Sequence, residues 1–341
     1  MVEKQSRRPG ARLLFVLINL LSVACLIWAL RDARLGDFKD DLASMDWKWV
    51  ALAVAVQLAV YLLYAIRWSL VLRPVVRIRF WQSVRYVYVG LFGNELLPFK
   101  VGEILRPYLL SRRTGLPLSV SLSSILIERI FDGIWLCLGL AVSLQYVHFP
   151  RQFRYIVDGT WVLAGVVLAG AVLLAVAMFK QPKRDGPAPE RRKGWRRHWD
   201  VLMEDLALIG HSRYLYLAFL QSMPGLVLQV IPVWAAFKGY LFDLSIFDAF
   251  ALMIILRLLV ALPQAPANIG LFQLLTREVL IKIFDIVPAD ASRFSVVLWG
   301  IVTLPLIVGG WMAVWAEEAD IVELRRAARS QKAGLRTRRQ A

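Results

Sequence analysis

Two long apolar stretches of this chain are broken by proline and glycine and hold charges within them. The first reads GLFGNELLPFKVGEILRPYLL over residues 90–110, the second ALMIILRLLVALPQAPANIGLFQLL over residues 251–275. A broken helix at membrane depth is stable only where protein or water satisfies the freed backbone groups. Paired interruptions in two halves of a membrane chain point to a transport site. That constraint shapes the rest of the reading.

Composition supports a membrane setting. The chain is 58% hydrophobic with mean hydropathy +0.57, against about 45–50% apolar for soluble domains. The net charge of +16 sits mostly in short segments beside apolar runs. There it reads as topology and attraction to anionic lipid headgroups, not as a nucleic-acid surface. Cys25 and Cys137 both lie inside apolar runs, so neither points to a disulfide framework. His148, His198 and His211 are scattered over loops, which speaks against a histidine metal site or triad. The sequence carries no nucleotide-binding fingerprint, and no cofactor is expected.

The expected fold is an all-α polytopic membrane protein. Spanning helices are expected at about 13–30, 49–67, 120–147, 159–180, 214–236 and 294–316. Arg7, Arg8 and Arg12 before the first run resemble a signal peptide. The run continues to Leu30, about 18 residues, and is read as a retained helix. Basic residues set the orientation. Residues 1–12 form a basic cytoplasmic tail, and loop 31–48, with Asp32, Asp37, Asp40, Asp41 and Asp46, reads as external. Arg67, Arg73, Arg77, Arg79 and Arg85 mark the cytoplasmic side again. So does the Pro-rich basic linker 181–200, and so does the basic tail 317–341. Both termini are then expected in the cytoplasm of an inner (plasma) membrane protein.

On these rules residues 80–113 begin and end inside, while 245–285 begin and end outside. Each broken stretch is expected to be a re-entrant helical hairpin. Flanking helices make two units of opposite orientation, about 49–147 and 214–316, an inverted repeat within a domain over 13–316. Charge rules alone leave open two full spans per stretch and ten helices in all.

Chemistry-bearing residues gather at the breaks. The first holds Asn94, Pro98, Lys100, Glu103 and Arg106; Pro98 lacks a donor and Gly102 permits unusual dihedrals. Glu103 and Arg106, spaced i, i+3, suit an ion pair on one face. Helix 120–147 carries Glu128, Arg129 and Asp132 at roughly mid-membrane depth, where ionised groups mark a functional site or a buried structural cluster. Ser119, Ser121, Ser123 and Ser124 precede them. The second break holds Arg257, Pro263, Pro266, Asn268, Gly270 and Gln273. Arg257 suits bidentate contact with a phosphate, or neutralises Glu128 or Asp132 from the other unit.

Residues Asn94-Glu95-Leu96-Leu97-Pro98, Gly102-Glu103 and Arg106 resemble a motif of the lysylphosphatidylglycerol synthase transmembrane region. That region is the flippase-like domain of the multiple peptide resistance factor. Ser124, Glu128-Arg129-Ile130-Phe131-Asp132, Leu262-Pro263, Pro266 and Ile269-Gly270 extend the resemblance over roughly residues 10–320. Lys100 stands where the family usually has arginine. Ala267-Asn268 replaces a Gly-rich pair, and Gln273 stands where glutamate is common. No aminoacyl-transferase domain is discerned, so the resemblance implies lipid handling without lysine transfer. It implies a flippase-like protein that moves a phospholipid or other polar lipid between leaflets, with a separate lipid-synthesis enzyme as its expected partner. An integral membrane transferase using Glu128 or Asp132 as base, or a scaffold for a lipid synthase, are the other readings.

Overall fold

The computed structural model describes residues 9–97, 100, 102–146, 154–179, 195–210, 212–260 and 265–340, and the regular elements among them are all helical. In order they are α1 (Pro9–Leu30), α2 (Phe38–Ser44), α3 (Trp47–Leu72), α4 (Phe80–Leu96), α5 (Gly102–Thr114), α6 (Leu118–Tyr146) and α7 (Arg154–Phe179). There follow α8 (Trp195–Gly210), α9 (Arg213–Leu228), α10 (Val230–Gly239), α11 (Ile246–Val260), α12 (Leu271–Phe284) and α13 (Pro288–Gln340).

Three described helical segments are long and apolar enough to cross a membrane: Trp47–Leu72, Arg213–Gly239 and Pro288–Glu318. Each coincides with an expected span. The second comprises α9 and α10, which meet at Gln229; its side-chain amide donates to the Gly225 carbonyl at 2.6 Å. α6 has 29 residues, about 43 Å of helix, but Glu128, Arg129 and Asp132 interrupt its apolar character. In the regions expected at 13–30 and 159–180 the described apolar helices are the shorter Asn19–Leu30 and Ala164–Val176.

The linker expected over 181–200 ends sooner than its charge suggests. Residues 180–194 lie outside the described residues, and α8 already begins at Trp195. Met203, Leu206 and Ile209 of α8 are buried with Ile127 and Ile130 of α6 and Leu174 of α7. Their i, i+3, i+6 spacing is a helical stripe that the preceding arginines mask. No break separates a tail at 316, because α13 continues to Gln340.

Contacts sort the helix ends into two groups. At one end of the bundle Asp46 N–H donates to Gly239 O at 3.0 Å. There Arg293 of α13 pairs with Asp41 and with Asp290, and Arg277 of α12 pairs with Asp32. At the other end Arg73 lies over the Tyr214 ring at 5.6 Å, and Arg113 of α5 pairs with Glu317 of α13 at 3.1 Å. α4 and α5 pack together as one helical hairpin, α11 and α12 as a second. The first hairpin has its open end beside Glu317, and the second has its open end beside the acidic loop.

The first hairpin closes tightly because glycines line its seam. A Cβ at Gly102 would stand 1.8 Å from the Gly90 carbonyl oxygen and 2.5 Å from the Asn94 nitrogen. Asn94 also accepts, through Oδ1, the Glu103 backbone N–H at 3.1 Å, which caps the start of α5. In the second hairpin Gly270 has φ 92°, and a Cβ there would meet the Ser22 carbonyl of α1 at 2.0 Å. α1 is thereby seated on α12.

Candidate functional site

The ionised groups of α6 meet an arginine of α3. Arg67 is 5% exposed and Glu128 1% exposed. Arg67 Nε donates to Glu128 Oε1 at 3.1 Å, and Arg67 Nη2 donates to Asp132 Oδ2 at 3.3 Å. A second contact joins Nη1 to Asp132 Oδ1, and Nη1 also lies 3.4 Å from Ser222 Oγ of α9. Glu128 and Asp132 face the same guanidinium because i, i+4 positions stack on one helix face. The other Glu128 oxygen accepts from Arg106 Nη2 of α5 at 2.5 Å. Arg106 lies over the Trp68 ring at 4.6 Å, and Trp68 Nε1 donates to Ser124 Oγ at 3.0 Å.

Around this buried floor stands a more accessible rim. Arg129 side-chain exposure is 49%, against 23% for Asp132 and 28% for Glu103. Arg129 pairs with Asp132 at 3.3 Å and with Glu103 at 3.5 Å. Glu103 and Arg106 therefore do not form the i, i+3 pair expected of them: each reaches across to α6 instead. Arg257 of α11 donates to Tyr64 Oη of α3 at 2.5 Å and makes no ion pair with a described carboxylate. Arg67 takes the neutralising role open to Arg257 in the sequence. Four guanidinium groups thus gather with three carboxylates, leaving an excess of one positive charge.

The two hairpin tips touch beside this cluster. Asn268 Nδ2 donates to both carboxylate oxygens of Glu95, at 3.1 and 3.0 Å. Asn268 and Ala267 have positive φ of 53° and 56°, a conformation that asparagine tolerates better than most residues. The Trp299 indole N–H of α13 donates to Ala267 O at 2.8 Å and holds the turn. Lys100 also has positive φ, 52°, at the first tip.

Not every expected site residue lies in the cluster. Gln273 is 3% exposed, and its Oε1 accepts the Gly270 backbone N–H at 2.7 Å. In this structure it caps α12. Gly270 is likewise buried against α1. Asn94 serves the hairpin through its α5 cap. Pro98 and Pro263 lie outside the described residues. In the sequence Arg67 reads only as a topology marker and Glu95 only as part of a motif, yet both belong to the arrangement.

An apolar groove runs along the outer side, with a volume of about 860 Å³. Leu58 and Leu62 of α3, Tyr88 of α4, and Ile301 and Leu304 of α13 line it, and Arg85 is its one charged lining residue. The ring of Tyr61 lies 5.5 Å from that of the groove-lining Tyr88 and 6.5 Å from that of Tyr64, the acceptor of the Arg257 bond.

The profile of the lysylphosphatidylglycerol synthase TM region matches residues 13–310. The chain belongs to that family. It is similar to a UPF0104 membrane protein of Methanocaldococcus jannaschii, 24% identical over 239 residues, covering 64% of this chain and 94% of the relative. A UPF0104 membrane protein of Methanothermobacter thermautotrophicus is 22% identical over 284 residues, 75% of this chain and 81% of the relative. The family match covers α3 to α12 whole and ends within α13, so both hairpins and the whole charged cluster fall inside it.

Proposed function

We propose that this family member moves a polar-headed, phosphate-bearing lipid between the leaflets of the plasma membrane. The two hairpins act as re-entrant elements of an inverted repeat, with both termini in the cytoplasm. Hairpin lengths support this reading. The 17, 13, 15 and 14 residues of α4, α5, α11 and α12 measure roughly 20–25 Å each, short of a hydrocarbon core about 30 Å thick.

The observation that carries the proposal is the charged cluster beside the touching tips. Membranes tolerate ionised groups where they line a protein-enclosed path. In this reading Arg129, Arg257 and Lys100 on the accessible side receive the phosphate. Arg67, Glu128 and Arg106 hold the floor, and the acyl chains follow the outer groove with Arg85 at one end. Glu128 is engaged on both oxygens, so acting as a general base would require breaking two ion pairs first. That favours transport over the transferase reading.

The test is a leaflet-accessibility assay in proteoliposomes with fluorescent phosphatidylglycerol, phosphatidylethanolamine and a glycolipid. Faster exchange than in protein-free vesicles for at least one lipid is the expected result. Rates equal to protein-free vesicles for all of them would reject the proposal.

A further inference from the structure

The single excess positive charge of the polar cluster is not spread evenly. Arg67, Arg106, Arg129 and Arg257 gather with Glu103, Glu128 and Asp132. At the tips Lys100 and Glu95 add one charge of each sign and leave the excess unchanged. Both Glu128 oxygens are held by guanidinium groups, Asp132 is held by Arg67 and Arg129, and Glu103 has Arg129 at 3.5 Å. Glu95 takes the Asn268 amide on both oxygens, and Lys100 is the cation whose charge acts on it. Each described carboxylate of the cluster is thus already engaged. Among the guanidinium groups Arg257 is the exception. It donates to the Tyr64 hydroxyl at 2.5 Å, and no described carboxylate lies within ion-pair distance of it. A phenol is a neutral acceptor, so that charge stays uncompensated.

We infer that the cluster selects a phosphodiester lipid whose headgroup bears no amine, and that Arg257 is the residue that selects it. A phosphodiester carries one negative charge and cancels the excess. Its two free oxygens match the guanidinium fork. Arg257 stands in the last turn of α11 (Ile246–Val260), and its partner Tyr64 is on α3, so a phosphate held there lies where the second hairpin meets the first spanning helix. An ammonium on the same headgroup returns the excess charge to the site. It also has to win a carboxylate from a partner already holding it, and breaking a buried ion pair leaves the displaced charge uncompensated. A neutral hydroxylated headgroup meets neither cost, because a hydroxyl both donates and accepts. The inference rests on the transport reading and narrows its cargo to lipids of net charge −1 with an uncharged polar substituent.

The experiment is a binding competition on the purified full chain, read by native mass spectrometry from detergent micelles. Phosphatidylglycerol, phosphatidylethanolamine and a phosphate-free glycolipid with the same tails are offered together. Phosphatidylglycerol should bind about tenfold more tightly than either, the worth of one hydrogen bond to a charged group. Arg257→Gln should bring it down to the level of the other two, and Arg257→Lys, which keeps the charge, should retain most of the preference. The glutamine variant breaks no ion pair with a described carboxylate, so it should melt close to wild type. Inorganic phosphate should not displace the bound lipid. Equal binding of phosphatidylglycerol and phosphatidylethanolamine by wild type overturns the inference whatever the variants do. So does a preference that survives in Arg257→Gln, or displacement by inorganic phosphate, which assigns the site to a free anion. No lipid movement is read in this assay. Selective binding beside a failed translocation assay rejects the transport reading alone, and translocation without the selectivity rejects this inference alone.

Discussion

Substituting methionine for Arg67 keeps an unbranched side chain but removes the guanidinium shared by Glu128 and Asp132. In the structure it makes hydrogen bonds to both carboxylates and to Ser222, at 5% exposure. Removing one partner of a buried ion pair costs about 3–5 kcal/mol, because a buried charge loses its compensation. Glu128 keeps Arg106 and Asp132 keeps Arg129, which places the expected cost near the lower end. About 3 kcal/mol corresponds to roughly two orders of magnitude in the folded-to-unfolded ratio. Unfolding in mixed dodecyl sulfate micelles, followed by far-UV circular dichroism, measures it. Adding Asp132→Asn removes the orphaned charge and should restore at least half of the loss, a coupling that the double-mutant cycle isolates. Lysine at position 67 should fall between, since an ammonium does not reproduce the forked contact. Wild-type stability in Arg67→Met, or no recovery in the double variant, would refute the reasoning.

Gly102→Ala should lower yield and thermal stability sharply, because its Cβ would stand 1.8 Å from the Gly90 carbonyl. Gly165→Ala, with nothing within 4 Å, should be neutral or slightly stabilising in the same melting assay. Asp32 is held below the ordinary aspartate range by its hydrogen bond from Arg31, with Arg277 adding to it. Its contribution is therefore present above about pH 4 and lost as pH falls further. Wild type should melt above Asp32→Asn at pH 7, and the two should converge as pH falls well below 4. Burial pushes Asp205 of α8 up, against a lowering contact with Ser119, and its Oδ2 has no hydrogen-bond partner among the described residues. Here the sign reverses: stability is fullest at low pH and is lost as pH rises above the ordinary aspartate range. Asp205→Asn should raise the melting temperature at pH 7 and lose that advantage near pH 4.

Much of the helical plan was legible because apolar runs and basic loops respond to the same bilayer constraint. The contact of Glu128 and Asp132 with one partner follows from their i, i+4 spacing, and the Arg129–Asp132 pair from i, i+3. The partner itself was obscured by a boundary. Ending the second helix at 67 makes Arg67 a flanking topology marker, whereas α3 runs on to Leu72. The signal was present in the Trp68, Leu70, Val71 and Leu72 that follow it. Glu95 was visible only as part of a motif, since its partner Asn268 lies 173 positions away. The capping contact of Gln273 could not be read from the sequence, because a cap and a binding residue look alike there: both place a polar side chain at a helix start. α8 was hidden by the charges before it, although Met203, Leu206 and Ile209 already spelled out a buried stripe.

The arrangement of the hairpins is the claim on which the transport reading stands. Single cysteines at Arg77, Arg112, Asp243 and Asp285, labelled in sealed vesicles with a membrane-impermeant maleimide, test it directly. The predicted result is reaction of 77 and 112 from one side and of 243 and 285 from the other. Labelling of 77 and 112 from opposite sides would contradict the account.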